Sequence, residues 1–342
     1  MLPPPDASGP IGEEHTIAYA GCTEAGFEVL RRLCERGVDV DEVVTITPAM
    51  AADAHVSGYH DYTEFALARD IDVYEPETYG MGTEADLAHF ETLDADLLIV
   101  NGWQRLVPGE VLETVTRGGL GVHGSAFGLP KGRGRSPMNW SLIEGLDRFL
   151  LSVIGLDEDA DAGLVLDTAK YDITPHDDIQ TLYHKLTVAT SRLLLDNLSA
   201  VLAGEAEFTE QTGTPTYYPR RRPGDGAICW EDTTRTILNL VRAVARPYPG
   251  AFTEFEGERV TVWEAIPFSD DFVYDDPPGT VVEVFETTDE FVVATADGTL
   301  LVSDWEADEW TPERGQRLES LPNESIGSPD RVDGPDRHDE LS

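Results

Sequence analysis

Short apolar runs alternate with stretches of helical period through the first 117 residues of this chain, which points to an α/β architecture: an open, mostly parallel sheet covered by helices. Strands are predicted over 15–20, 43–46, 71–74 and 97–100, and helices over 24–36, 63–68, 83–93 and 108–117. Phe27, Leu30 and Leu33 give the first helix an apolar face, and Gly37 ends it. Seven glycines between 118 and 135 interrupt the pattern. That stretch reads as a loop at the carboxyl ends of the strands, where such sheets place their sites. A helix over 138–144, strands over 150–156 and 164–171, and an amphipathic helix over 177–202 complete the first unit. Glycines and prolines then crowd 204–230, together with the basic run Arg220-Arg221-Arg222. A second unit follows, with a helix over 233–245 and strands over 260–265, 279–285, 290–295 and 299–302. Asp297-Gly298 joins the last two, and a small OB-like barrel is expected. The predicted division is a disordered tail over 1–13, a Rossmann-like N-terminal domain over 14–204, a linker over 205–230, the barrel domain over 231–317 and a disordered acidic tail over 318–342.

Charge bounds the class of partner. The chain holds 65 acidic and 24 basic residues, net −41, with the acids spread along its length. Such a surface suits high salt, so a halophilic source is expected, and it opposes broad binding to nucleic acid at low salt. No apolar run approaches the ~20 residues that span a bilayer, and residues 1–13 lack the form of a signal peptide; a cytoplasmic protein is the reading, with no membrane partner. Cys22, Cys34 and Cys229 show no metal-binding spacing, so no metal is expected.

Two segments carry chemistry. The first runs from Val122-His123-Gly124-Ser125 through Leu129-Pro130-Lys131-Gly132-Arg133-Gly134-Arg135-Ser136-Pro137 to Trp140. The second is Asp157-Glu158-Asp159-Ala160-Asp161-Ala162-Gly163. An imidazole oriented by a carboxylate takes a proton from an attacking amine or donates to a developing oxyanion. Taken alone, His123 is a loop histidine and residues 157–159 a solvated acidic turn, the reading that still suits Glu158 best.

Together these motifs resemble the folate-dependent formyltransferases, the family of the methionyl-tRNA and amino-sugar formyltransferases. His123, Ser125, Leu129-Pro130, Arg133-Gly134 and Pro137 match the family's first pattern, and Asp161-Ala162-Gly163 its second. Leu182 to Leu186, Asn239 to Ala243, Arg246 to Phe252 and Val262-Trp263 extend the likeness over roughly residues 15–305. The resemblance implies that 10-formyltetrahydrofolate is the co-substrate, with His123 as general acid/base and Asp161 as its orienting carboxylate. It also implies a folate site made of Arg105, Leu106, Val107, Ser125, Leu129, Pro130, Arg135 and the turn Asp157, Glu158, Asp159, Ala160 and Asp161. Two departures stand out. Gly121 occupies the place of an asparagine that donates to the formyl oxygen, for which Asn101 is a candidate replacement, and the segment from Ser125 to Pro130 is two residues longer than usual.

Arg133-Gly-Arg135-Ser-Pro-Met-Asn-Trp140 and Pro247 to Phe252 lean toward the formyltransferase for 4-amino-4-deoxy-L-arabinose nucleotides, so the expected acceptor is an amino sugar nucleotide. Methionyl-tRNA is the alternative acceptor; the basic run at 220–222 favours it, although surface ion pairs explain that run as well. A catalytically impaired folate- or nucleotide-binding relative is the third reading, motivated by Gly121.

Overall fold

A computed structural model describes residues 11–321. The first unit contains β1 (Ile17–Ala20), α1 (Glu24–Glu35), β2 (Glu42–Val44), α2 (Pro48–Asp53), α3 (Thr63–Leu67), β3 (Asp72–Tyr74), α4 (Glu84–Leu93), β4 (Leu97–Val100), α5 (Gly109–Glu113), β5 (Gly119–Ser125), β6 (Arg133–Gly134), α6 (Pro137–Ile143), β7 (Arg148–Gly155), β8 (Val165–Asp172), α7 (Ile179–Ala203) and β9 (Tyr217–Tyr218). Seven of the strands form one sheet in the order β3-β2-β1-β4-β5-β7-β8. Strands β1 to β5 pair in parallel, while β7 runs antiparallel to both β5 and β8. This is the mostly parallel α/β sheet that the alternation predicts.

Side-chain period divides the sheet into two faces. Ile17, Tyr19, Leu97, Ile99 and Leu120 pack toward α1 and α7, with Leu30, Leu33, Leu194 and Leu198. Ala18, Ala20, Leu98 and Val100 face α4 and α5, with Phe90 and Val111. Helix α7 is long and apolar enough to cross a bilayer by length and composition alone, but half of that stretch is buried within the fold.

The expected glycine loop over 118–135 needs correction: its first half is β5, a full member of the sheet. Its glycines answer to packing. A Cβ at Gly121 would lie 2.6 Å from Leu156 Cδ2, and one at Gly124 would collide with Leu150 O. Composition of this kind resembles a loop, but here it marks close approach of neighbouring chain.

The second unit contains α8 (Thr234–Val244), β10 (Ala251–Phe255), β11 (Glu258–Pro267), β12 (Val281–Phe285), β13 (Glu290–Ala294) and β14 (Thr299–Glu306). Its five strands form an antiparallel sheet ordered β10-β11-β14-β13-β12. Residues 316–319 tie its two edges together: Val281 N donates to Gln316 O, Leu318 N to Gly279 O and Glu319 N to Glu254 O. Leu318 is buried, so chain order continues past 317, where an acidic tail was expected to begin. At the other end Ile11 bridges Val38, inside the expected N-terminal tail. The remainder of both tails, 1–10 and 322–342, lies outside the described residues. One core joins the units: Met138, Trp140 and Leu142 of α6 pack with Ile237 and Leu240 of α8 and with Val260 and Val302 of the barrel.

Candidate active site

Strand β5 outruns β4. The two pair only as far as Val100↔Gly121, and beyond that point β5 pairs with β7. His123 stands on this overhang, on the face of the sheet toward α4 and α5 and past their cover, so its ring opens to the carboxyl edge of the parallel strands. That is the crevice where sheets of this kind bind ligands.

Asp161, 38 positions later, reaches the same place. His123 Nδ1 lies 3.2 Å from Asp161 Oδ1, and both side chains keep partial exposure, 10% and 22%. The other carboxylate oxygen accepts from Gly134 N at 3.0 Å. Asp161 adopts a left-handed conformation, φ 56°, which costs a residue with a Cβ roughly 1–2 kcal/mol. Gln211 secures that turn, its Nε2 donating to both Asp161 O and Gly163 O at 2.8 Å. Arg133 in turn holds Gln211 Oε1 through Nη2 at 2.6 Å. Gly163 is required here because any Cβ would run into Gly155 O at the end of β7.

The far ring nitrogen, His123 Nε2, faces Gly132 O at 3.2 Å. Both nitrogens therefore face acceptors. The neutral ring satisfies one of them and the doubly protonated ring satisfies both. A proton arriving at Nε2 is thus received by an imidazole whose opposite side already rests on a carboxylate.

The other expected residues divide into those that converge and those that do not. Glu158 Oε1 lies 2.9 Å from the position a Cβ on Gly109 would take, so the 157–161 turn abuts the loop that carries Arg105, Leu106 and Val107. Asp157, Glu158, Asp159 and Ala160 are exposed, Leu106 is half-buried and Val107 is buried. Ser125 is fully buried and its hydroxyl donates to Lys131 O. Its part is to brace the loop that holds Leu129 and Pro130, whose carbonyl accepts from Thr216 N. Arg135 N donates to Tyr218 O, and the Arg135 guanidinium is held below its usual pKa by burial and then by the charges of Arg105 and Arg220.

Asn101 does not join the group. Val100 and Gly121 are in register, so Asn101 projects from the opposite face to His123. Its Nδ2 donates to Tyr19 OH at 3.2 Å in the core beneath α1. The space that an asparagine at 121 would occupy is filled by Leu156.

Three contributors escaped the sequence. Gln211, Thr216 and Tyr218 all come from the stretch read as a linker; Gly132 N donates to Thr216 Oγ1 at 2.9 Å, and β9 pairs with β6. Their polar, proline-rich surroundings carry no periodicity that would single them out. The glycines at 21 and 26 are explained by packing, since Cβ atoms there would strike Asn101 O and Tyr62 OH. Among the described residues no group of three His, Cys, Asp or Glu side chains is placed to hold a metal.

Comparison with known proteins places the chain in a family. Residues 21–198 match the Formyl transferase family and residues 221–316 the Formyl transferase, C-terminal domain. A methionyl-tRNA formyltransferase from Enterococcus faecalis is 29% identical over 289 residues, 84% of this chain and 90% of that protein. Among solved structures, HypX from Aquifex aeolicus in complex with tetrahydrofolic acid superposes with a TM-score of 0.62 at 19% identity, over 86% of this chain and 44% of its own, so this chain spans less than half of that protein. An N-formyltransferase from Helicobacter canadensis, in complex with folinic acid and dTDP-3-aminofucose, gives 0.60 at 15% identity over 85% of this chain and all of its own.

Proposed function

Because this chain belongs to the formyltransferase family, we propose that it carries a formyl group from 10-formyltetrahydrofolate to the amine of an amino sugar borne on a nucleotide, in the cytoplasm. The contact between His123 and Asp161 at the mouth of the crevice carries the reading. A folate fits the surroundings. Trp103 Nε1, beside the Arg105–Val107 loop, is buried without a partner, and the ring stands edge-on to Tyr79 with centroids 4.8 Å apart. A flat heterocycle rich in acceptors satisfies both features. Leu106, Val107 and Leu129 supply apolar walls, and Arg135 a cation.

Bound 10-formyltetrahydrofolate supplies the formyl group. His123 Nε2 takes the proton of the attacking amine and returns one to the leaving nitrogen. Asp161 holds the ring in orientation and balances the charge that forms on it, while Gln211 and Gly134 N keep Asp161 in place. With Gly121 offering no side chain, the protonated His123 is the donor on this face of β5 for negative charge developing on the formyl oxygen.

Charge favours the small acceptor. Residues 231–321 hold 21 acidic and 6 basic side chains, a poor surface for a polyphosphate chain. The identity to the E. faecalis methionyl-tRNA enzyme favours tRNA as a second reading. Incubation of the full chain with 10-formyltetrahydrofolate, in salt that keeps it folded, separates the readings. Tetrahydrofolate release with a panel of amino sugar nucleotides, and none with methionyl-tRNA, is expected. Release with methionyl-tRNA alone transfers the function to the second reading, and release with neither reduces the chain to a binding protein.

A further inference from the structure

Tyr79 comes from the segment between β3 and α4, which Asp86 of α4 anchors by accepting from Glu77 N at 2.9 Å. Its buried side chain reaches the loop after β4 that carries Trp103 and Arg105. Gln104 N donates to the Tyr79 hydroxyl at 3.0 Å. That hydroxyl lies 3.3 Å from Cys22 Sγ, and Cys22 Sγ donates to Gly102 O at 3.4 Å. With the thiol hydrogen given to Gly102, the phenol hydrogen goes to sulfur. Gln104, Tyr79, Cys22 and Gly102 thus form one directed ring of hydrogen bonds that begins and ends on the loop. Burial pushes the Cys22 thiol up to about 11, so it keeps its hydrogen through the neutral range. The backbone adds a second tie, from Cys22 N to Gly102 O at 3.2 Å. This close approach needs a glycine at 102, φ 77°, since a Cβ there would collide with Thr23 Oγ1. The Tyr79 ring serves the same loop. The Arg105 guanidinium lies over it, 4.8 Å from the centroid, and the Trp103 ring meets it edge-on at 73°. Each residue from Gly102 to Arg105 is therefore fastened to Tyr79 or to Cys22.

We propose that Tyr79, seconded by Cys22, is a positioning residue for the folate: it holds the loop from Gly102 to Arg105 against the end of β1 and so fixes the wall on which the co-substrate lies. The inference rests on the folate site described above and adds what keeps its wall in place. An unfastened loop must be ordered when the folate binds, and that cost is subtracted from affinity. Loss of the hydroxyl also leaves Gln104 N without its acceptor. The effect falls on folate affinity and not on the chemical step, because His123 and Asp161 are held by Gly132 O, Gly134 N and each other, on separate elements.

Calorimetric titration of the full chain with tetrahydrofolate reads the effect without turnover. Tyr79→Phe keeps the ring and removes the hydroxyl, and its dissociation constant is expected to rise about tenfold, the scale of one buried donor left unpaired. Cys22→Ala weakens binding in the same direction, and Cys22→Ser, which keeps a donor and an acceptor, restores most of it. Tyr79→Phe combined with Cys22→Ala binds no more weakly than Tyr79→Phe alone, because both changes open one ring. Tyr59→Phe removes another hydroxyl of the same apolar cluster, one bonded to Ile46 O, and leaves the affinity unchanged. With whichever acceptor the chain turns over, Tyr79→Phe raises KM for 10-formyltetrahydrofolate by the same factor and keeps kcat within about twofold of the parent value. Amide exchange without ligand is expected to quicken at Gln104 in Tyr79→Phe. Unchanged folate affinity in a folded Tyr79→Phe, an equal loss in Tyr59→Phe, additive losses in the double variant or a loss confined to kcat overturns the proposal. A parent chain that binds no tetrahydrofolate removes the folate site itself and the proposal with it, whereas binding that ignores Tyr79→Phe removes the proposal alone, so the two failures are distinct.

Discussion

At the scale of single residues the site turns on position 121. An asparagine there would offer a neutral donor to the oxyanion, and the loss of one such donor costs about two to three orders of magnitude in rate. Asn101 cannot replace it, being on the wrong face and bonded to Tyr19. Leu156 Cδ2, the flexible end of a side chain, occupies the space instead. Gly121→Asn alone would press on Leu156, whereas Gly121→Asn with Leu156→Ala opens room for the amide beside His123. The double variant is expected to raise kcat by about tenfold or more while leaving KM for the acceptor near its parent value. A kcat that stays flat in a folded double variant would mean that the imidazolium and backbone already supply all the stabilisation the formyl oxygen receives.

Elements place these residues, and their ends show how. Helix α4 begins with a capping box in which Thr83 and Asp86 bond to each other's backbone N–H. Burial pushes the Asp86 carboxyl up, but bonds from Tyr74 OH, Glu77 N and Thr83 outweigh it and hold the group below its usual range. A carboxylate with a depressed folded-state pKa stabilises the fold above its unfolded value and loses that contribution as pH falls through the folded value. Asp86→Asn is therefore expected to cost about 1–3 kcal/mol near neutral pH. The gap to the parent chain should narrow below about pH 4, the range of an unperturbed aspartate. Urea denaturation across that range checks it; a gap independent of pH would show that the side chain acts by shape and not by charge.

On the scale of the whole molecule, net charge dominates. With 65 acids against 24 bases the folded chain repels itself, and so does any polyanion it approaches. Screening shortens from about 8 Å at physiological salt to about 3 Å at 1 M. Tm is therefore expected to rise steadily as KCl is raised from physiological to molar concentration. Calorimetric scans at graded KCl measure this, and an unchanged Tm refutes it. The single core shared by α6, α8 and the barrel predicts that both units melt in one transition in the same scans.

Much of this was legible before any coordinates. Period-2 and period-3.6 patterning marked the parallel strands and their helices, because burial of one face per element is written locally. The likeness of the His123 and Asp161 motifs to a family named both residues, though nothing local required them to meet. What patterning missed was decided by contacts distant along the chain. The glycines of β5 looked like a loop until Leu156 and Leu150 explained them, and Asn101 looked available until the strand register turned it away from His123. Gln211 came to hold the Asp161 turn only because 209–218 folds back over 161–163. Sequence alone determined which elements form and what charge they carry; which face each side chain uses, and which distant side chain it meets, followed from strand register and packing, both of which are properties of the assembled sheet.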